Sequence, residues 1–463
     1  MPLPTIQQTL EHVLAAAHVD PSRAAEVRFE GADPVLPTAF LMGTSGAAVL
    51  GAVGLAAADL WKLRGGGDQI VSMDARRGAI ALRTSHYLRL EGEPAPDFWD
   101  PISGFHRTGD GWVQLHCQFP HFRDAVLRVL GCGHDRDAVA TALLDWRAQD
   151  LEDRMVEEGV PLFMLRDKAT WRRHPQAAAV AGLPLLEIIK IGDSPPEPLP
   201  AGTRPLAGVR VLDLTRVIAG PVTGRTLAAH GADVMRISGP HLPFSETLVM
   251  ETGHGKRAAH IDLRQAEGVE TLRGLVKDAH VFSQAYRSGT IAGRGFAPED
   301  LAEMRPGIVC VSLCAWSHAG PWAPRRGYDS LVQCATGIAA EHGGADSPRH
   351  LPGQALDYLS GYLGAFGAMV ALARRAREGG SYLVRLSLAQ TAHWLDSLGL
   401  VETEVDPRDL PDTEMADVAD LLVRSETSWG PMTHMGPILQ MSETPPRWAR
   451  PVVPLGTDAP AWL

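Results

Sequence analysis

A stretch two-fifths of the way along the chain, PLAGVRVLDLTRVIAGPVTGRTLAAHGADVMRI from Pro205 to Ile237, restricts the fold more than any other. Val209, Val211, Leu212 and Leu214 form a short apolar, β-branched run of the length expected of a buried strand. Ala219-Gly220-Pro221 interrupts it, and Gly224 to His230 predicts a helix packed through small residues. Gly231-Ala232-Asp233 closes that helix before a second strand over Val234 to Ile237. The product is a βαβ unit, the seed of a parallel sheet. Its first turn, Val217-Ile218-Ala219-Gly220, offers small residues where a ligand's phosphates could approach the backbone. The turn is not a G-x-G-x-x-G, so a dinucleotide fingerprint is not supported, and a purely structural βαβ is the plain alternative.

With 463 residues, two or three domains are expected, and 45% apolar against 21% charged residues describes a globular protein with ample core. A net charge of -11 argues against a nucleic-acid partner, which would need clustered Lys and Arg. Cys117, Cys132, Cys310, Cys314 and Cys334 show no paired metal-ligand spacing, so core packing is expected and a metal site is not. The N-terminal MPLPTIQQTLEHVL has no basic region ahead of an apolar run, so no signal peptide is expected and the setting reads as cytoplasmic. Ala47 to Ala58 is apolar but reads as too short for a bilayer, so no membrane partner is expected.

Two segments share a pattern. GADPVLPTAFLMGTSGAAVLGAVGLAAADLWKLRGGGDQIVSM, from Gly31, and GADSPRHLPGQALDYLSGYLGAFGAMVALARRAREGGSYLVRLS, from Gly344, each run from a GAD turn through Leu-Pro to Ser-Gly. In each, a small-residue helix, a Gly-Gly stop and a short strand follow, which reads as an internal duplication. Asp357 of the second copy falls opposite Met42 or Thr44 of the first, so only one copy has a carboxylate there. Between the copies, Gly104 to Pro120 predicts a hairpin around Gly109-Asp110-Gly111 and the segment to Glu158 predicts helices, together a small α+β domain. Four prolines between Gly192 and Arg204 mark a linker. Strands and helices alternate from there, with a strand around Ile261 and Leu263, for a doubly wound, mostly parallel sheet. The acidic run from Gly399 to Ser425 predicts a solvated face or mobile lobe, and the Pro-rich tail an extended strap.

The ordered series PLAGVRVLDLTRVIAGP, GADVMRI, GKRAAHIDL, QAYRSGTIAGRGF, VSLCAWSHAGPWAPRRGYDSLVQCATGI and the Asp357 segment resembles the class III CoA-transferases of the CaiB/BaiF family over about Pro205 to Leu395. The small domain normally follows the catalytic half in that family. Here it precedes it, so the order looks rearranged and partly duplicated. The resemblance implies an α/β fold, a Rossmann-like sheet domain plus a smaller α+β domain. It divides the chain into a truncated repeat of the catalytic half (1–90), the small domain (91–191), the linker (192–204), the CoA-binding domain (205–398), and the acidic segment with the tail (399–463).

The implied chemistry is transfer of CoA from an acyl-CoA to a free carboxylic acid, through anhydride and thioester intermediates on one carboxylate, Asp357. Coenzyme A would be a substrate, with no permanently bound cofactor. Val217, Ile218 and Ala219 match the turn that meets CoA, Lys256 and Arg257 a basic pair near its phosphates, and Tyr286, Arg287 and Arg294 a further aromatic-basic step. An interlocked homodimer is implied, with the small domain closing the site from the partner chain; the competing possibility is that its place at the N-terminus lets each chain close its own site. Two alternatives stand beside this: an α-methylacyl-CoA racemase or related isomerase or lyase, and a non-catalytic CoA-binding protein. Racemases of this superfamily carry a His where Tyr328 stands here. A phenol is a poor base at neutral pH, leaving His318 or His350 as substitutes.

Overall fold

The computed structural model describes residues 2–287 and 289–463. Seven strands form the central sheet: β1 (Glu187–Gly192), β2 (Arg210–Leu214), β3 (Asp233–Ser238), β4 (Lys256–His260), β5 (Val281–Gln284), β6 (Val309–Cys314) and β7 (Ser381–Ser387). Their spatial order is β4-β3-β2-β5-β6-β7-β1, parallel except for β1, which runs antiparallel to β7 at the edge. The chain leaves β2 toward β3 on one side and returns to β5 on the other. A topological switch point therefore lies between β2 and β5, where doubly wound sheets bind ligands beyond the strand ends. The Rossmann-like expectation holds, and the sheet is covered on both faces by separate apolar layers.

Two boundaries differ from expectation. β4 lies over Lys256–His260, ahead of Ile261 and Leu263, because the charges of its first two residues are met inside the fold by Asp213 and Asp233. Residues 187–192 belong to the large sheet, so the small domain stops short of the expected boundary at 191. That domain is α+β as expected: strands Gly104–Arg107, Trp112–Leu115 and Leu162–Met164, five helices, and a core of its own around Val113, Phe122 and Leu151.

Two long small-residue helices cross the core, α1 (Met42–Leu63) and α4 (Ala355–Glu378). Both are long and apolar enough to cross a membrane, a correction for the first, and both are mostly buried inside the fold. The two copies of the repeat share an order. After α1 come a strand, Val71–Asp74, and a helix, Ala75–Ala81; after α4 come β7 and α5 (Leu388–Ser397). The first strand pairs in parallel with Val27–Glu30 in a small sheet of its own. The acidic segment, expected as a solvated or mobile lobe, is tied to the first repeat: the buried Arg83 takes Asp412 with both terminal nitrogens, and Arg76 takes Asp420. The tail lies across the sheet domain as expected, with Trp448 Nε1 donating to Arg225 O and Trp462 Nε1 to Leu275 O.

Candidate active site

Asp357 is the third residue of α4, and its amide is fastened from outside the helix. Gln354 caps with no side-chain bond, so the first-turn amides need another acceptor. Asp329, the first residue of α3 (Asp329–Thr336), provides one: its Oδ2 accepts from Leu356 N at 2.8 Å and Asp357 N at 3.0 Å. The first repeat uses the same device. Asp33 accepts from Gly43 N at 2.8 Å and Thr44 N at 2.7 Å, the second and third residues of α1. This correspondence chooses Thr44 over Met42 as the counterpart of Asp357, and it pairs Asp329 with Asp33, which sequence matching of the two GAD turns did not reveal.

The other wall is the turn after β2. Val217 sits at φ 71°, a left-handed conformation costing a β-branched residue about 1–2 kcal/mol, of the kind that collects at functional sites. The turn leads into α2 (Ala219–Ala229), and the Ala219 amide faces the Asp357 carboxylate. Gly361 lets α4 approach so closely, since a Cβ there would stand 2.5 Å from Ala219 O. Asp357 is buried at 7% exposure. Burial and the neighbouring Asp329 hold its carboxyl well above the usual carboxylate range, and the Ala219 amide opposes them.

Asp357 lines two adjoining cavities. One is a groove of about 320 Å³ at the switch point, walled by Val217, Ile218, Ala219, Tyr286 and Arg287, with Arg216 and Arg326 at its side. The other, of about 160 Å³, is closed by Trp99, His116 and Gln118 of the small domain, with Tyr328, Asp329 and His350 opposite. The His116 ring stacks on Tyr328, centroids 3.9 Å apart and 9° from parallel, and its Nδ1 lies 3.3 Å from Ser330 Oγ. Desolvation raises the Tyr328 phenol to about 12, so it stays protonated beside Asp357.

The small domain that closes this cavity belongs to the same chain, a correction to the expectation that a partner supplies it. Buried Glu152 binds Arg166 at 2.9 Å and Arg325 at 3.0 Å, joining the small domain to the loop before Tyr328. Gln176 clamps the same loop, accepting from Trp322 N at 2.7 Å and donating to Ala319 O at 2.9 Å.

Of the expected binding residues, Val217, Ile218, Ala219, Tyr286 and Arg287 meet at the groove with Asp357. Lys256 and Arg257 do not. Lys256 is buried beneath the turn, 2.7 Å from both Asp213 Oδ2 and Pro221 O, and desolvation lowers it to about 8. Gly224 leaves the room, since a Cβ there would stand 2.5 Å from Asp213 Oδ2. Arg257 pairs with Asp233 at 2.9 Å and donates to Ala461 O of the tail at 2.6 Å. Both are structural. Arg294 reaches Leu263 O away from the groove walls. His318 lies by Glu187, at 3.7 Å, outside both cavities, whereas His350 lines the smaller one. Arg216, Arg326, His116, Gln118 and Trp99 were not singled out by the sequence; isolated cations and a lone His on a hairpin carry no local signal.

A buried carboxylate thus stands where a switch-point groove meets a smaller cavity. Residues 206–418 match the family model CoA-transferase family III. Through that segment, a little under half of its length, the chain is similar to that family. An acyl-CoA transferase from Gibberella moniliformis is 27% identical over 84% of this chain and 77% of its own length. The succinyl-CoA:glutarate CoA-transferase of Mus musculus is 30% identical over 40% of this chain and 45% of its own. The probable CoA-transferase Rv1866 of Mycobacterium tuberculosis is 30% identical over 53% and 34%. The crystal structure of a CAIB/BAIF family protein from Brucella suis is 28% identical, covering 41% of this chain and 55% of that one, with a TM-score of 0.37. The fungal relative apart, the chain spans about half or less of these proteins.

Proposed function

We propose that the protein is a CoA-transferase moving CoA from an acyl-CoA to a free carboxylic acid, with Asp357 as nucleophile. The observation that carries this reading is that Asp357 lines both cavities, so a thioester with CoA in the groove and its acyl group in the smaller cavity would have its carbonyl at the carboxylate. The Asp357 carboxylate attacks that carbonyl; the C–S bond breaks, CoA leaves as thiolate, and a mixed anhydride remains. The thiolate then attacks the Asp357 carbonyl, forming an aspartyl-CoA thioester and releasing the donor acid. The acceptor carboxylate attacks this thioester, and the returning thiolate takes the new acyl group from the second anhydride, restoring Asp357. The Ala219 amide and the protonated Tyr328 phenol are the groups nearest to stabilise the oxyanions. A buried carboxylate with a raised pKa is the more basic nucleophile once ionised.

CoA would lie along the groove with its phosphates toward Arg216, Arg287 and Arg326. Racemisation would need a base across from Asp357. Tyr328 stays protonated, and burial lowers His350 to about 4, a weak base at neutral pH. Asp357→Ala is expected to lower transfer by about a thousandfold or more while leaving CoA affinity within a few-fold. Retained transfer, α-proton exchange in deuterated water without transfer, or CoA binding with neither activity would each replace this reading. We also propose a cytoplasmic setting and a homodimer, in which each chain closes its own site.

A further inference from the structure

The smaller cavity carries more information than its position beside Asp357. It is walled by aromatic rings, with Trp99 and His116 centroids 5.3 Å apart and the His350 ring 4.6 Å from Phe105. Three polar nitrogens on these walls are buried without a hydrogen bond of good geometry: His116 Nε2, which has the Gln118 side chain beside it, Gln118 Nε2 and His350 Nε2. Buried polar atoms are rarely left so, and three on one cavity describe a place prepared for a group that bonds to them. The charges point the same way. Burial lowers His116 to about 3 and His350 to about 4, so both imidazoles are neutral. Among the described lining residues there is no Lys or Arg, and the two acidic side chains are Asp329 and Asp357. A second carboxylate on a substrate would find no cation and would repel whichever of the two acids is ionised.

We propose that this chain selects a short acyl group bearing an uncharged hydrogen-bonding substituent, a hydroxyl, keto or carboxamide, read by His116, Gln118 and His350. This rests on the proposed transfer reaction for the name of the ligand, since the acid in question is the donor or acceptor there. The cavity, about 160 Å³, has room for roughly ten non-hydrogen atoms, which excludes long fatty chains. Selectivity of this kind is strong because an analogue lacking the polar group leaves buried nitrogens unpaired.

The test uses the full chain saturated with CoA, titrated calorimetrically with 4-hydroxybutyrate, butyrate, succinate and palmitate, alongside CoA transfer from an acyl-CoA donor to each. The hydroxy acid is expected to bind about tenfold or more tighter than butyrate and succinate. Gln118→Met is expected to bring the hydroxybutyrate-to-butyrate ratio toward one, and Gln118→Arg to raise succinate relative to both. Tightest binding of succinate or palmitate, an unchanged ratio in Gln118→Met, or no acid binding by protein that still takes CoA would overturn the inference. Binding in the expected order without covalent trapping at Asp357 would instead remove the transfer reading and leave the selectivity intact.

Discussion

Asp329 Oδ2 accepts the backbone N–H of Asp357 at 3.0 Å, with both carboxyls buried, so one neighbour governs both where the Asp357 carboxyl sits and when it ionises. Asp329 is itself held above its ordinary range by desolvation, against the bonds it accepts from Asp357, Gln333 and Leu356. Its charge in turn pushes Asp357 up.

Replacing Asp329 by Asn should therefore shift the acidic limb of the pH profile of kcat/KM to lower pH, by about one unit, because the like charge beside Asp357 is gone. A merely structural role would lower activity without moving the limb. Stability carries the same signature. Both folded-state pKa values lie above the unfolded ones, so from about pH 4 upward the native chain holds protons that the unfolded chain has released. Stability conferred by the protonated pair is present below that pH and is lost as pH rises through the folded values. Urea midpoints across pH 4 to 8 should fall less steeply in Asp329→Asn than in the parent.

Lys256→Met separates the structural pair from the ligand site. It leaves Asp213, fully buried, without its counter-charge, and should cost about 3–5 kcal/mol of stability. CoA affinity of the remaining folded protein, measured below its melting temperature, should stay within a few-fold. A selective loss of CoA binding with unchanged stability would return Lys256 to the groove.

The contrast between Lys256 and Arg287 shows how far the sequence could be read. Runs such as Val209 to Leu214 announced their strands, because a strand buried on both faces is predominantly apolar. Asp357 and the turn from Val217 to Ala219 were legible through the ordered motifs of the resemblance. Lys256-Arg257 was expected near the CoA phosphates because a sequence does not show that Asp233 on β3 and Asp213 on β2 neutralise the pair inside the fold. The edge strand Glu187–Gly192 escaped because it abuts the Pro-rich linker and runs against the sheet's direction. The cavity wall of Trp99, His116 and Gln118 depends on a domain folding back across more than two hundred residues of chain to reach Asp357, a separation no local pattern reports.

Closure of the site within one chain makes a prediction about assembly. Transfer per chain should be independent of concentration when the protein is diluted until light scattering reports single 49.8 kDa chains. Activity that disappears with the dimer would mean that the partner completes the site after all.

The most direct measurement is mass spectrometry of the protein after incubation with an acyl-CoA and hydroxylamine. Nucleophilic catalysis by Asp357 predicts a hydroxamate at that residue, formed only with acyl-CoA present and absent from Asp357→Ala. A protein that transfers CoA while Asp357 stays unmodified, or that is modified at another carboxylate, would contradict the account.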